Sequence, residues 1–581
     1  MALLEVVLLA GPAFAVGAKR SRRQLALLAA TGAGRKDIRR TVLGGGLVLG
    51  AVGGVIGLVG GLGLARAALP VIARFNDDVP GPFEIVPWQL AGIALVGVGT
   101  ALLAALLPAR AAARQDVVAA LTGRAGAVVA SRRLVPLLGL VALALGALLT
   151  PEGAGSCSGL LNLAGSVIAE LGLVAMTPTL VGAAGRLGPL LPVAGRLALR
   201  DASRNRSRTA PAVSAILAAV AGTVAVGTFL VSQDRMQQDA YRGNLAVGSA
   251  VVNLYDDAVE QLPQVVEVLR RELPAAQVVT ARVIDAGGEV GAVDVVPARD
   301  CPSGGCGGRS YINGTLVGDA DLVAAVTGSR DPALARALAR GGAVVPAVYL
   351  QDDGTVLLVN HPPGDVDRTK GVQVRVPAAA LPEDAYQAVV LSPQAAALMG
   401  RPVIDVGAVA ATTRIPTERE QARASEAVQQ LAQTSSVYVE RGYSSSAGVT
   451  VLALAGISAL LVLGASGIAT GLAAADGRAD LSTLACVGAT PGLRRRLAGS
   501  QSLVTAGLGT ALGTVAGLIP AYGLIRALNE PDSTGYVRAV PFPFVVPWTL
   551  LGVTALVVPL LAALAALLLT RSRLPLVRRI A

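Results

Sequence analysis

"RRQLALLAATGAGRKDIRR", residues 22–40, recurs near the other end of the chain as "RADLSTLACVGATPGLRRR", residues 478–496. Leu25 aligns with Leu481, Leu28 with Leu484, and the pair Gly32-Ala33 with Gly488-Ala489, while Arg22 meets Arg478. At the same offset Gly53, Gly57 and Gly61 fall on Gly509, Gly513 and Gly517. After a four-residue insertion, the Val-Pro pair before Trp88 meets the Val-Pro pair before Trp548, and these are the only two tryptophans. A whole module is therefore written twice.

The modules are made of apolar spans. Of 581 residues, 53% are hydrophobic and 15% charged, too little charge for a soluble chain of this length. Uncharged windows at 41–65, 85–109, 209–233, 447–475, 497–525 and 539–570 each exceed the roughly 20 residues that cross a bilayer core. Weaker windows at 1–18 with Glu5, 134–151, and 153–185 with Glu170 raise the expectation to about nine transmembrane helices. The first window carries its positive charges after the apolar run, so it reads as a span with its amino end outside and not as a signal peptide.

Charge sorts with this map. Segments 19–40, 110–133, 186–208, 476–496 and 571–581 hold 27 basic and 5 acidic residues, against 22 basic and 33 acidic elsewhere. Basic residues collect in cytoplasmic loops, so these segments are expected inside and the carboxy end in the cytoplasm. No aromatic platform accompanies the arginines, which argues against nucleic acid as a partner.

One long polar region, 232–446, is expected outside as a folded α+β domain. Runs such as "SAVVNLY", "AQVVTARVI", "GTVLLVN", "VQVRVPA" and "YQAVVL" predict strands, and 258–273, 331–340 and 416–432 predict helices. The resulting division is 1–121 (three spans), 122–195 (two linking helices), 196–231 (first span of the second module), 232–446 (extracytoplasmic domain) and 447–581 (three spans).

Within each module, glycine at every fourth position makes a small-residue ridge on which another helix can settle closely. Gly53, Gly57, Gly61, Gly509, Gly513 and Gly517 are thus expected at helix seams. Trp88 and Trp548, each opening a span, suit the bilayer interface, half buried with the ring N–H wet. Residues 22–34 and 478–490 are longer than a turn requires and are amphipathic. Residue chemistry leaves open whether they anchor to membrane lipid or contact a cytoplasmic partner.

The charged residue, the Leu-x-x-x-Gly-Ala phrase and the basic cluster, in both copies, with "LLPARAAARQDVVAAL" after the first, resemble the FtsX-like permease family of ABC transporters, which includes MacB-type and lipoprotein-release permeases. The resemblance covers residues 1–121 and roughly 196–581, with "RLALRDASRNRSRTAPAVSAIL" similar to the usual lead into a module's first span. It implies a permease coupled to a separate cytoplasmic ATPase, bound as two subunits per chain in the sense that each copy offers one docking element: Arg22, Leu25, Leu28, Gly32 and Ala33, and Arg478, Leu481, Leu484, Gly488 and Ala489. It also implies work by mechanical transmission to the outside domain. The first copy departs from the family by lacking the initial span and ectodomain before residue 1, and the tail "LLLTRSRLPLVRRIA" departs from the family ending. A transmembrane regulator of a cell-wall enzyme and, with less support, a secondary transporter are the other readings.

Catalytic chemistry is not expected. The three lysines, Lys19, Lys36 and Lys370, sit in no phosphate-binding loop, and a single histidine, His361, supports neither a histidine metal site nor a triad. No cofactor or metal is therefore expected. Cys301 and Cys306, in "DCPSGGCGG", are expected to form a disulfide in an oxidising compartment. Cys157 is expected unpaired and Cys486 reduced. Glu170, an acid within an apolar run, asks for either a hydrogen-bonded or protonated state between helices or a role with a coupling ion or substrate.

Overall fold

The computed structural model describes residues 14, 17, 21–75, 84–114, 134–149, 158–241, 243–285, 293–299, 312, 314–361, 371–382, 386–445, 447–476, 491–530 and 540–569. Seven helices come first: α1 (Arg22–Ala30), α2 (Arg35–Phe75), α3 (Pro87–Ala113), α4 (Leu134–Leu149), α5 (Ser158–Ala184), α6 (Val193–Arg204) and α7 (Arg206–Ala240). Strands β1 (Ala250–Asn253), β2 (Ala275–Ile284), β3 (Val293–Val296), β4 (Leu316–Val317), β5 (Ala343–Val345), β6 (Thr355–Asn360), β7 (Val372–Ala380), β8 (Val390–Leu391), β9 (Val403–Thr412) and β10 (Val437–Val439) follow. Among them run α8 (Leu262–Glu272), α9 (Ala320–Thr327), α10 (Pro332–Ala339), α11 (Pro393–Ala397) and α12 (Glu418–Leu431). The chain then continues with α13 (Ala447–Asp476), α14 (Pro491–Asn529), α15 (Trp548–Gly552) and α16 (Val558–Leu569).

Two compact units result, Met1–Met236 with Ser446–Gly535 and Phe542–Ala581, and Gln237–Ser445 with Tyr536–Pro541. The first is helical. Seven of its described helices are long and apolar enough to cross a membrane, and Val135–Leu149 is a shorter apolar one. Most of window 1–18 lies outside the described residues.

Apolar burial gives little net gain between helices in lipid, so their contact relies on close backbone approach. Along α14, a Cβ added at Gly509 would lie 2.6 Å from the Ile216 Cβ, at Gly513 2.7 Å from the Leu217 carbonyl oxygen, and at Gly517 2.9 Å from the Val224 Cβ. The ridge of α14 therefore receives Ile216, Val220 and Val224 of α7, which share a buried cluster with Val462, Ala506 and Val558. A hydrogen bond of 2.7 Å between Ser466 and Ser502 joins α13 to α14.

The first copy is arranged differently. A Cβ added at Gly53, Gly57 or Gly61 meets nothing within 4 Å among the described residues. Helix α2 instead approaches α3 one turn earlier, where a Cβ at Gly50 would lie 2.7 Å from the Ala101 Cβ and one at Gly46 2.9 Å from the Ala105 Cβ. Helices α4 and α5 use the same device, since a Cβ at Gly139 would stand 2.8 Å from the Gly172 carbonyl oxygen. Between α15 and α16 the backbone makes a π turn, Val553–Val557. The buried Thr554 hydroxyl donates to the Leu550 carbonyl at 2.8 Å, occupying an acceptor that a widened turn loosens.

The second unit is α+β, with strand order β10-β1-β9-β2-β4-β8-β5-β7-β6-β3. β1 pairs antiparallel with β10 and β9, and β9 with β2. With α8 between β1 and β2 and α12 between β9 and β10, this half is a split β-α-β arrangement into which 285–402 is inserted. Alternation decides its faces. Ala250, Val252, Ala408 and Ala410 pack with Val265 and Leu269 of α8 and Val428 of α12. Val251 and Val409 face Leu322 and Val326 of α9 and Leu334 and Leu338 of α10. Gly407, at φ 154, brings the β9 backbone against the Val252 carbonyl, where any Cβ would collide.

Helix α12 opens with a capping box of Thr417 and Glu420. Two hydrogen bonds from Arg414, at 2.7 and 2.9 Å, also reach the Glu420 carboxylate. Arg414 first, and the Thr417 backbone N–H second, lower that carboxyl to about 2.

Gly513→Val should force the α7–α14 backbones apart, an overpacking cost of about 1–3 kcal/mol, read as a lower thermal midpoint of the detergent-purified protein. Gly57→Val, at the matching position, should leave that midpoint unchanged. For Glu420, a folded-state pKa below the ordinary value of 4.5 means its contribution is present above that pH and is lost as pH falls toward 2. Arg414→Ala should accordingly raise the midpoint of acid unfolding followed by far-UV circular dichroism.

Candidate functional site

The repeated segment, residues 22–34, forms α1 and its stop signal. Leu25, 7% exposed, and Ala26 are buried, and Leu25 joins Ile38 of α2 and Ala112 of α3, with Ala29 packed alongside. This face fastens the helix to the module. Leu27 and Leu28, 53% and 39% exposed, look away from that contact.

The Leu-x-x-x-Gly-Ala phrase has a structural meaning. Ala33 N–H donates to the Leu28 carbonyl at 3.2 Å and Gly32 N–H to the Ala29 carbonyl at 3.1 Å, the paired bonds of a Schellman stop. Gly32 takes φ 99, a conformation that side chains with a Cβ resist. The Thr31 hydroxyl adds a bond of 2.9 Å to the Leu28 carbonyl. The next helix starts at Arg35, with Gly34 N–H donating to Asp37 Oδ2 at 3.0 Å. The phrase thus ends one helix and starts another while leaving Leu28 outward. Arg22 opens α1, and Arg478, Leu481, Leu484, Gly488 and Ala489 lie outside the described residues.

Helix α6 is a further amphipathic element, which the sequence reading treated only as a lead into a span. It buries Ala198, Leu199 and Ala202, and Ala202 clusters with Val181, Val213, Val504 and Leu508. Asp201 of α6 accepts from Gln501 Nε2 of α14 at 3.0 Å and from Asn205 Nδ2 at 2.7 Å. The i, i+1, i+4 spacing of its buried residues was a visible helical signal; the long-range polar pair was not.

Other singled-out residues are placed individually. Trp88 and Trp548 stand at helix starts, 73% and 76% exposed. Glu170 is buried within α5. His361 Nε2 lies 3.2 Å from Asp294 Oδ2. Cys157, Cys301, Cys306 and Cys486 lie outside the described residues, among which no cluster of three or more metal-binding side chains occurs.

Comparison with known proteins bears on the same segment. Residues 1–117 match the family model described as FtsX-like permease C-terminal. Over 100 residues the chain is 43% identical to the macrolide export ATP-binding/permease protein MacB of Azoarcus sp. (strain BH72), a match covering 17% of this chain and 14% of that protein. These findings bear out the FtsX-like, MacB-like resemblance over the first module, and with the long apolar helices they support a multi-pass helical membrane protein. The matched part spans about one seventh of that relative's length.

Gly32→Ala separates strain from crowding, because a Cβ there meets nothing within 4 Å while φ stays unfavourable. Strain of about 1–2 kcal/mol should speed hydrogen exchange in residues 22–33 of the solubilised protein. Gly34→Ala, at a position without that φ, should leave the same amides protected.

Proposed function

We propose that the chain is the permease subunit of an ABC transporter, driven by separate ATPase subunits and acting by mechanical transmission to the 232–446 domain. The observation that carries this reading is α1. Its inner face is fixed by Leu25 and its outer face offers Leu27 and Leu28, and it sits in the part that matches the FtsX-like model. Lipid could receive a few leucines, but a segment repeated with its stop signal favours a shaped partner at both places. The segments 22–34 and 478–490 then dock one ATPase subunit each, giving two per chain.

In this reading hydrolysis belongs to the partner, and the sequence given holds no phosphate-binding loop. The membrane helices receive the motion, and α7 and α13, which lead directly in sequence to and from the 237–445 unit, carry it. The amino end and the domain face outside, and the basic segments and carboxy end face the cytoplasm. The substrate is exported or extracted from the outer side; a regulator that moves an external enzyme would use the same parts.

Leu28→Asp places a charge in a desolvated contact, costing on the order of 2 kcal/mol or more. The variant should reach the membrane at normal levels yet lose ATPase co-purification and stimulation, and Leu484→Asp should do likewise. Full association in both would reduce the segments to surface anchors. In the orientation assay, Asp352→Cys should react with an impermeant maleimide added to intact cells, above the reaction of the parent protein. Reaction only after permeabilisation would reverse the map.

A further inference from the structure

The chain passes between the helical unit and the α+β unit after α7, before α13 and on either side of Tyr536–Pro541, and one buried carboxylate stands where the first two of these stretches meet. Glu440, 1% exposed, follows β10 six residues before the Ser446 boundary. Its Oε1 accepts from the Tyr241 hydroxyl and, at 2.9 Å, from Gly442 N–H. Its Oε2 accepts from Asn244 N–H at 2.7 Å and from the Tyr438 hydroxyl at 3.0 Å. Tyr241 and Asn244 belong to the stretch leaving α7, and Tyr438 and Gly442 to the stretch approaching α13. Each carboxylate oxygen therefore takes one donor from each stretch.

The surroundings reinforce the bridge. Asn244 Nδ2 donates to the Tyr438 hydroxyl at 3.1 Å, and the Tyr241 and Tyr443 rings meet edge to face at 5.7 Å. Gly442 takes φ 79, turning its N–H back onto the carboxylate it follows. Burial alone would raise the Glu440 carboxyl, yet the bonds from Tyr241, Asn244, Gly442 and Tyr438 bring it below the ordinary value. The Tyr241 hydroxyl is raised by burial and by its bond to Glu440. The ionised carboxylate is thus the form that four donors are set to hold.

A buried acid placed for sheet stability alone would have no need of donors from both stretches. The backbone already joins them, through Gly248 N–H to the Glu440 carbonyl at 2.8 Å and Glu440 N–H to the Ser249 carbonyl at 2.9 Å. The side chain adds a second tie nearer the ends of α7 and α13. We propose that Glu440 is a joint that makes the two connecting stretches move as one body, so that displacement of either membrane helix enters the domain through a single rigid element. Its link to transport rests on the permease reading; the joint itself does not.

The test uses the full chain in detergent, followed by hydrogen exchange with peptide-level readout. Glu440→Gln keeps the shape but turns an NH2 group toward two donors. Tyr241→Phe removes one hydroxyl from the α7 side and leaves Glu440 in place. Either change should speed exchange about tenfold or more in both 243–245 and 441–443, while the β1 and β9 interiors keep their protection. The decisive feature is reciprocity: Tyr241→Phe must loosen 441–443, on the opposite stretch. Loosening confined to 243–245, no loosening, or loss of protection throughout the sheet would each overturn the joint. Because the readout needs no ATPase, a failed co-purification would count against the permease reading alone.

Discussion

The structure depends first on how closely two helices can approach where water provides no drive between them. In α14, Gly509, Gly513 and Gly517 remove side chains from one face, and Ile216, Val220 and Val224 of α7 fill the space against bare backbone. β-branched residues suit this role because their rotamers in a helix are already restricted, so little side-chain freedom is lost on packing. A seam of this kind is stiff. Motion applied to α14 would then pass to α7 with little lost in side-chain adjustment.

That stiffness gives the remaining parts a common logic. Helix α1 is fixed by Leu25 against α2 and α3, and its glycine stop turns the chain within four residues into the next helix. Helix α6 is pinned to α14 through Asp201 and Gln501. At the other end of α7, the chain enters a domain whose first strand, β1, lies between β10 and β9. Short rigid contacts recur at each place where one element hands over to another. In the proposed account, the protein acts by preserving displacement across these contacts.

Much of this was legible in the sequence, and the exceptions have physical reasons. The repeat displayed the Leu-x-x-x-Gly-Ala phrase directly, because a Schellman stop needs glycine at one defined place. The glycine ridge was equally visible, but its use was not: a period of four marks a face and says nothing about what fills it. Gly509 and its neighbours meet α7, whereas Gly53 and its neighbours meet no described residue. Strand β9, "VIDVGAVAAT", carried little strand signal, since Ala, Gly and Asp are weak strand formers; its place between β1 and β2 overrides that weakness. Glu440 was hidden for another reason. Its partners Tyr241 and Asn244 stand 199 and 196 positions away, and no local pattern announces such a meeting.

The central claim is that the repeated segments receive force from an ATPase. The most direct measurement is site-specific photo-crosslinking in cells, with a benzophenone side chain at position 28 or 484. The account predicts an adduct to a nucleotide-binding subunit from each position, altered in yield when ATP is replaced by a non-hydrolysable analogue in isolated membranes. Adducts to lipid alone from both positions would contradict it.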